Sequence, residues 1–396
     1  MRRPEIDNVF IRKKRIPLGT VYPPFHYYND TTGTYDVPQS DIVYVQLKQG
    51  EQFVCLNLGQ PGCGKSILNK RIEYYMHKIG YKSAIFDYKG YEWIFGSLFT
   101  SPINVFPFEK PEILPIVSLI PAHKRKKFGN EIDKYYRTVA YSINDISSVH
   151  ELISLRFTPS AAISLMNILS KNQFKNIKEL IYAVERTKMH GAAKESILKR
   201  LAYYDELDFF SNDQEKPTLQ KYWDAGLVPN YSMFASYKDE LSFLFGKLID
   251  EEYNRHKGFP KFILIDDGHP FISKDMKPYD YMSVKAIQES IYQLGRHKNW
   301  NMLLATQQPE YIKDDIIEGA THIIVSRMGN VGDAIRKKIN EPEIEREIKS
   351  LTYDKANYIK EKLILEDDGI TYRKFHSWGP LLGHCISGQH NKYKIF

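Results

Sequence analysis

Cysteine is scarce in this chain: Cys55, Cys63 and Cys385 are the only three among 396 residues. They lie far apart, share no metal-ligand spacing and suit no disulfide framework, so a reducing, intracellular compartment is expected. Long hydrophobic runs are also missing. No uninterrupted apolar stretch approaches the ~20 residues of a bilayer-spanning helix, so no direct transmembrane segment is expected. The opening Met1-Arg-Arg-Pro-Glu-Ile-Asp lacks the apolar centre of a signal peptide. There is no internal repeat and no low-complexity tract. Neither sign of charge dominates: the formal net charge is +7, a mild basic excess that suits a polyanionic partner without requiring one. Aromatic residues are plentiful, with 28 Tyr and 21 Phe, which argues for a well-filled interior and against disorder.

What the chain does contain is a phosphate-binding signature. Gly59, Gln60, Pro61, Gly62, Cys63, Gly64, Lys65 and Ser66 complete the pattern G-x-x-x-x-G-K-[ST]. The apolar run Phe53 to Leu58 before it reads as a buried strand. After it, Ile67, Leu68, Ile72, Tyr75, Met76 and Ile79 recur at the spacing of one helix face. Strand, glycine loop and helix together place backbone N–H groups around phosphate oxygens at a helix N-terminus. Lys65 is expected to reach the β- and γ-phosphates of ATP, and the Ser66 hydroxyl to ligate Mg²⁺.

Further elements follow from the spacing of apolar residues. Ser83 to Asp87 reads as a short strand ending in a carboxylate. Helices are expected over Lys134 to Ser142, Pro159 to Ser170, Ile177 to Lys188, Lys194 to Asp205 and Tyr237 to Lys257. Thr158-Pro159 is a capping hydroxyl followed by proline at the first helical position. The runs Lys261 to Ile265, Met302 to Ala305 and Ile323 to Val325 alternate with helices, which argues for a mostly parallel sheet covered on both faces. Leu363 to Tyr372 reads as a hairpin turning at Asp368-Gly369. The expected organisation is a basic arm or cap over 1–48 and the first part of an ATPase core over 49–110. A helical insert follows over 111–236, then the second part of the core over 237–345, and a helix with a β-hairpin over 346–396.

Two more motifs carry chemistry. Phe262-Ile-Leu-Ile265 closes on Asp266 and Asp267; the first suits metal holding and the second activation of a water. Leu303-Leu-Ala-Thr-Gln307-Gln-Pro309 puts an amide at a strand tip, where it can hydrogen-bond a γ-phosphate or the attacking water. Less telling are the basic run His123 to Lys127, the arginines and lysines of the first 15 residues, His269, and Trp223, Trp300 and Trp378.

In order and type, these pieces resemble the HerA–FtsK superfamily of DNA-translocating ATPases, with Gly295-Arg296 and Leu303 to Pro309 as the most specific stretch. The 200 residues between Ser66 and Asp266 are similar to the HerA-like branch. The resemblance implies an α/β, RecA-like (ASCE-type) P-loop core, with nucleotide bound by Lys65 and Ser66, metal positioned by Asp266 and the γ-phosphate sensed by Gln307. Arg296 would act on a neighbouring subunit's nucleotide, with Arg327 as a second candidate. It also implies ATP-driven movement of double-stranded DNA through a homo-oligomeric, hexameric ring in the cytoplasm, or a virion-associated one if viral, with a nuclease or a capsid or portal as partner. The rival expectation is an ATPase driving protein assembly or secretion. Two departures stand out. Asp267 replaces the family's usual Glu, shortening the side chain by on the order of 1.5 Å. The 52 residues before Phe53 are too few for the β-barrel of the HerA-like branch, so the chain is more similar to compact plasmid and viral ATPases, genome-packaging motors among them.

Overall fold

The protein is described here by a computed structural model that covers residues 10–32, 34–88, 93, 112–122, 136–232, 238–255, 258–268, 281–293, 295–328, 333–339, 342–354, 359–366 and 371–377. Among the described residues thirteen strands form one sheet. Across it run Ile42–Gln46, Arg15–Thr20, Tyr372–Ser377, Ile359–Glu366, His322–Ser326, Val54–Leu58, Trp300–Thr306, Lys261–Asp266, Lys82–Asp87, Val228–Ser232, Ile116–Pro121 and Tyr136–Val139, while Tyr353–Asp354 pairs off this path with Ile359–Glu366. From His322–Ser326 to Tyr136–Val139 every pairing is parallel. The four strands on the other side join antiparallel.

Five parallel strands make the core, and numbering them in chain order gives the spatial order 5-1-4-3-2. The consequence is positional. The strand that leads into the glycine loop (the loop strand, Val54–Leu58) and the strand that ends in Asp266 (the acid strand, Lys261–Asp266) are separated only by the strand that precedes Gln307 (the glutamine strand, Trp300–Thr306). Because all three are parallel, their C-terminal ends lie side by side, where open α/β sheets bind ligands.

Alternation of side chains across the pleat explains the two-sided core. Val54, Leu56, Leu58, Ile263, Ile265, Met302 and Leu304 pack on one face. Cys55, Phe262, Leu264, Leu303 and Ile324 pack on the other, with Leu68, Ile72, Tyr75 and Met76 of the helix Lys65–Ile79. The opposite face is covered by helices that include Lys238–Tyr253, whose Phe243, Leu248 and Ile249 are buried.

Three expected helices of the insert are found as Pro159–Leu169, Ile177–Arg186 and Gly191–Glu206. The Thr158 hydroxyl accepts from the Ala161 N–H, as its position implied. The segment is less purely helical than its periodicity suggested. It also supplies three strands that extend the sheet, and Lys134 to Ser142, expected as a helix, contains the strand Tyr136–Val139. Tyr136 and Val139 are buried there while Arg137 is exposed and Thr138 half-buried, and β-branched and aromatic residues in a pleat favour pairing over a lone helical turn. Within the first 48 residues, expected as a basic arm or cap, Arg15–Thr20 and Ile42–Gln46 pair in the antiparallel wing, and Arg15 stacks over Tyr44 at 4.3 Å. Arg12, Lys13 and Lys14 stay exposed. The hairpin strands Ile359–Glu366 and Tyr372–Ser377 are present, while the turn at Asp368-Gly369, the run His123 to Lys127, His269, Trp378 and Cys385 lie outside the described residues. Among the described residues no helix is long and apolar enough to cross a membrane.

Candidate nucleotide site

The loop is shaped by backbone that only glycine takes easily. Gly59 has φ +153 and Gly64 φ +81. A Cβ on Gly59 would lie 2.7 Å from both Cys63 Sγ and Ser326 Cβ, so a side chain is excluded by contact as well as by conformation. Gly64 delivers the chain straight into the helix Lys65–Ile79. The start of a helix is where backbone N–H groups are generally presented to an anion. The helix stops at Gly80, φ +103, whose N–H returns to the His77 and Met76 carbonyls.

Lys65 is 8% exposed, and its Nζ donates to the Gly59 carbonyl at 2.7 Å and the Gln60 carbonyl at 2.9 Å. The ammonium is thus held across the loop mouth by its own backbone. Ser66 follows at the second helical position, half-buried.

A chain of buried amides ties this loop to the acid strand. Asn57 Nδ2, on the loop strand, donates to the Lys65 carbonyl at 3.2 Å and to Asn69 Oδ1 at 2.7 Å. Asn69 Nδ2 then donates to Asp266 Oδ1 at 3.1 Å, and Trp93 Nε1 donates to Asp266 Oδ2 at 3.2 Å. Asn57 and Asn69 are fully buried and Asp266 is 5% exposed. The carboxylate is therefore fixed beside the first turn of the loop helix with both oxygens engaged. Asp87 lies opposite Asp266 in the neighbouring strand and is as deeply buried, which makes a carboxylate pair at adjoining strand ends. Burial, followed by the Asp87 charge, pushes the nearby Tyr136 hydroxyl well up.

Gln307 comes directly after Thr306, which lies opposite Leu58 at the end of the loop strand; Gln307 is half-buried. Its backbone position is thus between the loop and Asp266. Asp267 adopts φ +61, a left-handed conformation that Asp tolerates better than most residues, and the Gly268 N–H crosses to the Ala305 carbonyl at 2.7 Å. The turn re-aims the chain immediately beyond the acid strand.

The two candidate arginines separate. Arg327 is exposed at the loop end of the sheet, and its carbonyl accepts from the Gln60 N–H at 3.5 Å. Arg296 lies before the glutamine strand, at the opposite end of the sheet, roughly 20 Å away by the rise of seven strand residues. It is exposed, donates from Nε to the Gly50 carbonyl at 3.1 Å, and lines a cavity of about 520 Å³ with Lys48, Glu51, His322, Glu366 and Arg373. Arg296 is therefore outside the site formed by its own chain.

Asn57, Asn69, Trp93, Ser326 and Lys362 were not singled out from the sequence. The polar Asn57 within an otherwise apolar strand, and Asn69 one helical turn after Lys65, were the signals that could have found two of them. Lys362 is fully buried; its Nζ donates to the Cys63 carbonyl at 3.1 Å and to the Ser326 hydroxyl. Burial alone would push the Cys63 thiol up, but the ammonium groups of Lys362 and Lys65, with the Ser326 hydroxyl, outweigh it, and the thiol lies below its ordinary value.

No protein-family model matches the sequence, and no curated protein is similar to it in sequence. Solved structures are similar in fold over nearly the whole chain. VirB4 of Thermoanaerobacter pseudethanolicus superposes with a TM-score of 0.56 at 13% identity, covering 95% of this chain and 98% of that one. The bacterial conjugative coupling protein TrwB, in its ΔN70 form, superposes with a TM-score of 0.53 at 10% identity, covering 93% and 95%. The RecA-like, mostly parallel α/β fold expected from the motifs is the fold observed. At such identities the likeness speaks to fold.

Proposed function

We propose that this protein is an ATP-hydrolysing motor that moves double-stranded DNA, working as a homo-oligomeric and hexameric ring. The observation that carries the reading is the Asn57–Asn69–Asp266 chain, which locks an acid-strand carboxylate to the first turn of a glycine-loop helix, with Gln307 on the strand between. That arrangement is what phosphoryl transfer to water asks of a protein: a cradle, a fixed carboxylate for the metal and a polar group near the γ-phosphate. Lys65 exchanges its loop carbonyls for phosphate oxygens, Asp266 positions the metal, Gln307 senses the γ-phosphate, and Asp267 takes the proton of the attacking water.

The Ser66 hydroxyl and the Asp266 carboxylate are hard oxygen donors of the kind Mg²⁺ prefers. Among the described residues no group of three or more His, Cys, Asp or Glu could hold a metal ion by itself. When bound, Mg²⁺ would neutralise charge on the phosphates. Arg296, facing away from its own loop, suits a role on the neighbouring protomer's nucleotide, the geometry of a trans-acting arginine. The mild basic excess of +7 suits a polyanionic substrate such as DNA.

The test is ATP turnover with and without linear duplex DNA across a salt series. The reading expects turnover to rise with DNA and the stimulation to fall steeply with salt, as phosphate contacts require. Turnover indifferent to DNA and raised only by a protein partner would replace it with the assembly or secretion reading.

A further inference from the structure

We propose that Lys362 is a positioning residue for the phosphate loop: a second lysine, delivered from the antiparallel wing, that orients the loop's peptide groups and adds a fixed positive charge beneath them. The proposal rests on the nucleotide-binding reading above and goes beyond its motif residues, since Lys362 belongs to none of them.

The observations converge on one small volume. Lys362 sits on Ile359–Glu366, which pairs antiparallel with His322–Ser326 at the margin of the five-strand core, with Lys362 opposite Ser326. It is fully buried. Its Nζ reaches the Cys63 carbonyl, 299 residues away in sequence, at 3.1 Å, and the Ser326 hydroxyl. Ser326 Cβ is also one of the atoms a Cβ on Gly59 would strike at 2.7 Å, as is Cys63 Sγ. Gly59, Cys63, Ser326 and Lys362 thus form the packed floor of the loop.

Two physical consequences follow. A trans peptide is planar, with its C=O and N–H pointing in opposite directions. Pinning the Cys63 carbonyl down onto Lys362 therefore turns the Gly64 N–H away from the floor, to the side where the loop would receive an anion. Second, the buried ammonium of Lys362 and an anionic phosphate held by the loop would attract one another more strongly than the same charges in solvent. Lys65 acts from the loop's mouth and Lys362 from its floor, and both charges bear on the Cys63 thiol between them. Lysine and arginine both keep a fixed positive charge at this position.

The experiment is equilibrium titration of the full chain with the fluorescent nucleotide mant-ATP, for wild type, K362M and K362R, each checked for a cooperative thermal melt without nucleotide. K362M is expected to weaken mant-ATP by about tenfold or more, and K362R to stay within about threefold of wild type. A purely structural lysine would lower the melting temperature without weakening mant-ATP in a variant that still melts cooperatively. K362M binding within about twofold of wild type overturns the proposal, and so does K362R failing as badly as K362M. Should K362M lose its cooperative melt, K362Q takes its place in the titration; loss of the melt in both overturns the proposal by making Lys362 a fold residue. Wild type that melts cooperatively yet does not bind mant-ATP sinks the nucleotide reading itself, a result distinct from wild type and K362M binding alike.

Discussion

Glu73 shows how the loop helix carries ionisable groups where water cannot reach. It lies on Lys65–Ile79, fully buried, and burial pushes its carboxyl from an ordinary 4.5 up to about 8, with the nearby Ser83 hydroxyl offsetting only part of the shift. The folded protein therefore holds this proton more tightly than the unfolded chain does. Stability from the group is fully present below pH 4.5 and is lost as the pH rises through about 8. Glu73→Gln, which keeps the shape and removes the charge, is expected to raise the melting temperature little at pH 5 and markedly at pH 8. Melts across that range check it; an equal shift at both ends would mean the carboxyl is not proton-linked to folding. At this scale the sequence anticipated position: the strands carrying Asp266 and leading to Gln307 end beside the strand that leads into the loop of Lys65. It was opaque for Trp93 and Lys362, whose roles depend on contacts across 173 and 299 residues that no local spacing encodes.

The glycine loop is the element on which nucleotide binding depends, and Gly59 is its tightest point. Gly59→Ala would place a methyl group 2.7 Å from Cys63 Sγ and Ser326 Cβ at a φ of +153. Backbone strain of that kind costs about 1–3 kcal/mol. The variant is expected to fold with a lowered melting temperature and to lose at least about tenfold in mant-ATP affinity. A titration indistinguishable from wild type would show that the loop accommodates the methyl without moving. Ile177–Arg186, with strong helical periodicity, and Pro159–Leu169, with its capping threonine and first-turn proline, were read within a few residues. The insert's strands were not. Tyr136–Val139 is four residues long and Val228–Ser232 carries Pro229 and Asn230, so neither presents a continuous apolar run, and their pairing is decided by the sheet edge they join.

At the scale of the molecule, the 5-1-4-3-2 strand order is what unites the site, because it interposes a single strand between the loop and Asp266. Arg296 precedes the glutamine strand and so lies at the far end of the sheet, and a catalytic role for it requires another protomer's loop. The antiparallel wing, built from both ends of the chain, reaches back under the loop through Lys362. The claim that the loop, Asp266 and Gln307 act on one nucleotide is tested most directly by single-turnover hydrolysis of prebound ATP in Gln307→Ala, with its mant-ATP affinity measured alongside. The account predicts affinity within about threefold of wild type and a hydrolysis rate lower by about a hundredfold, as removal of one transition-state hydrogen bond allows. An unchanged hydrolysis rate would contradict it.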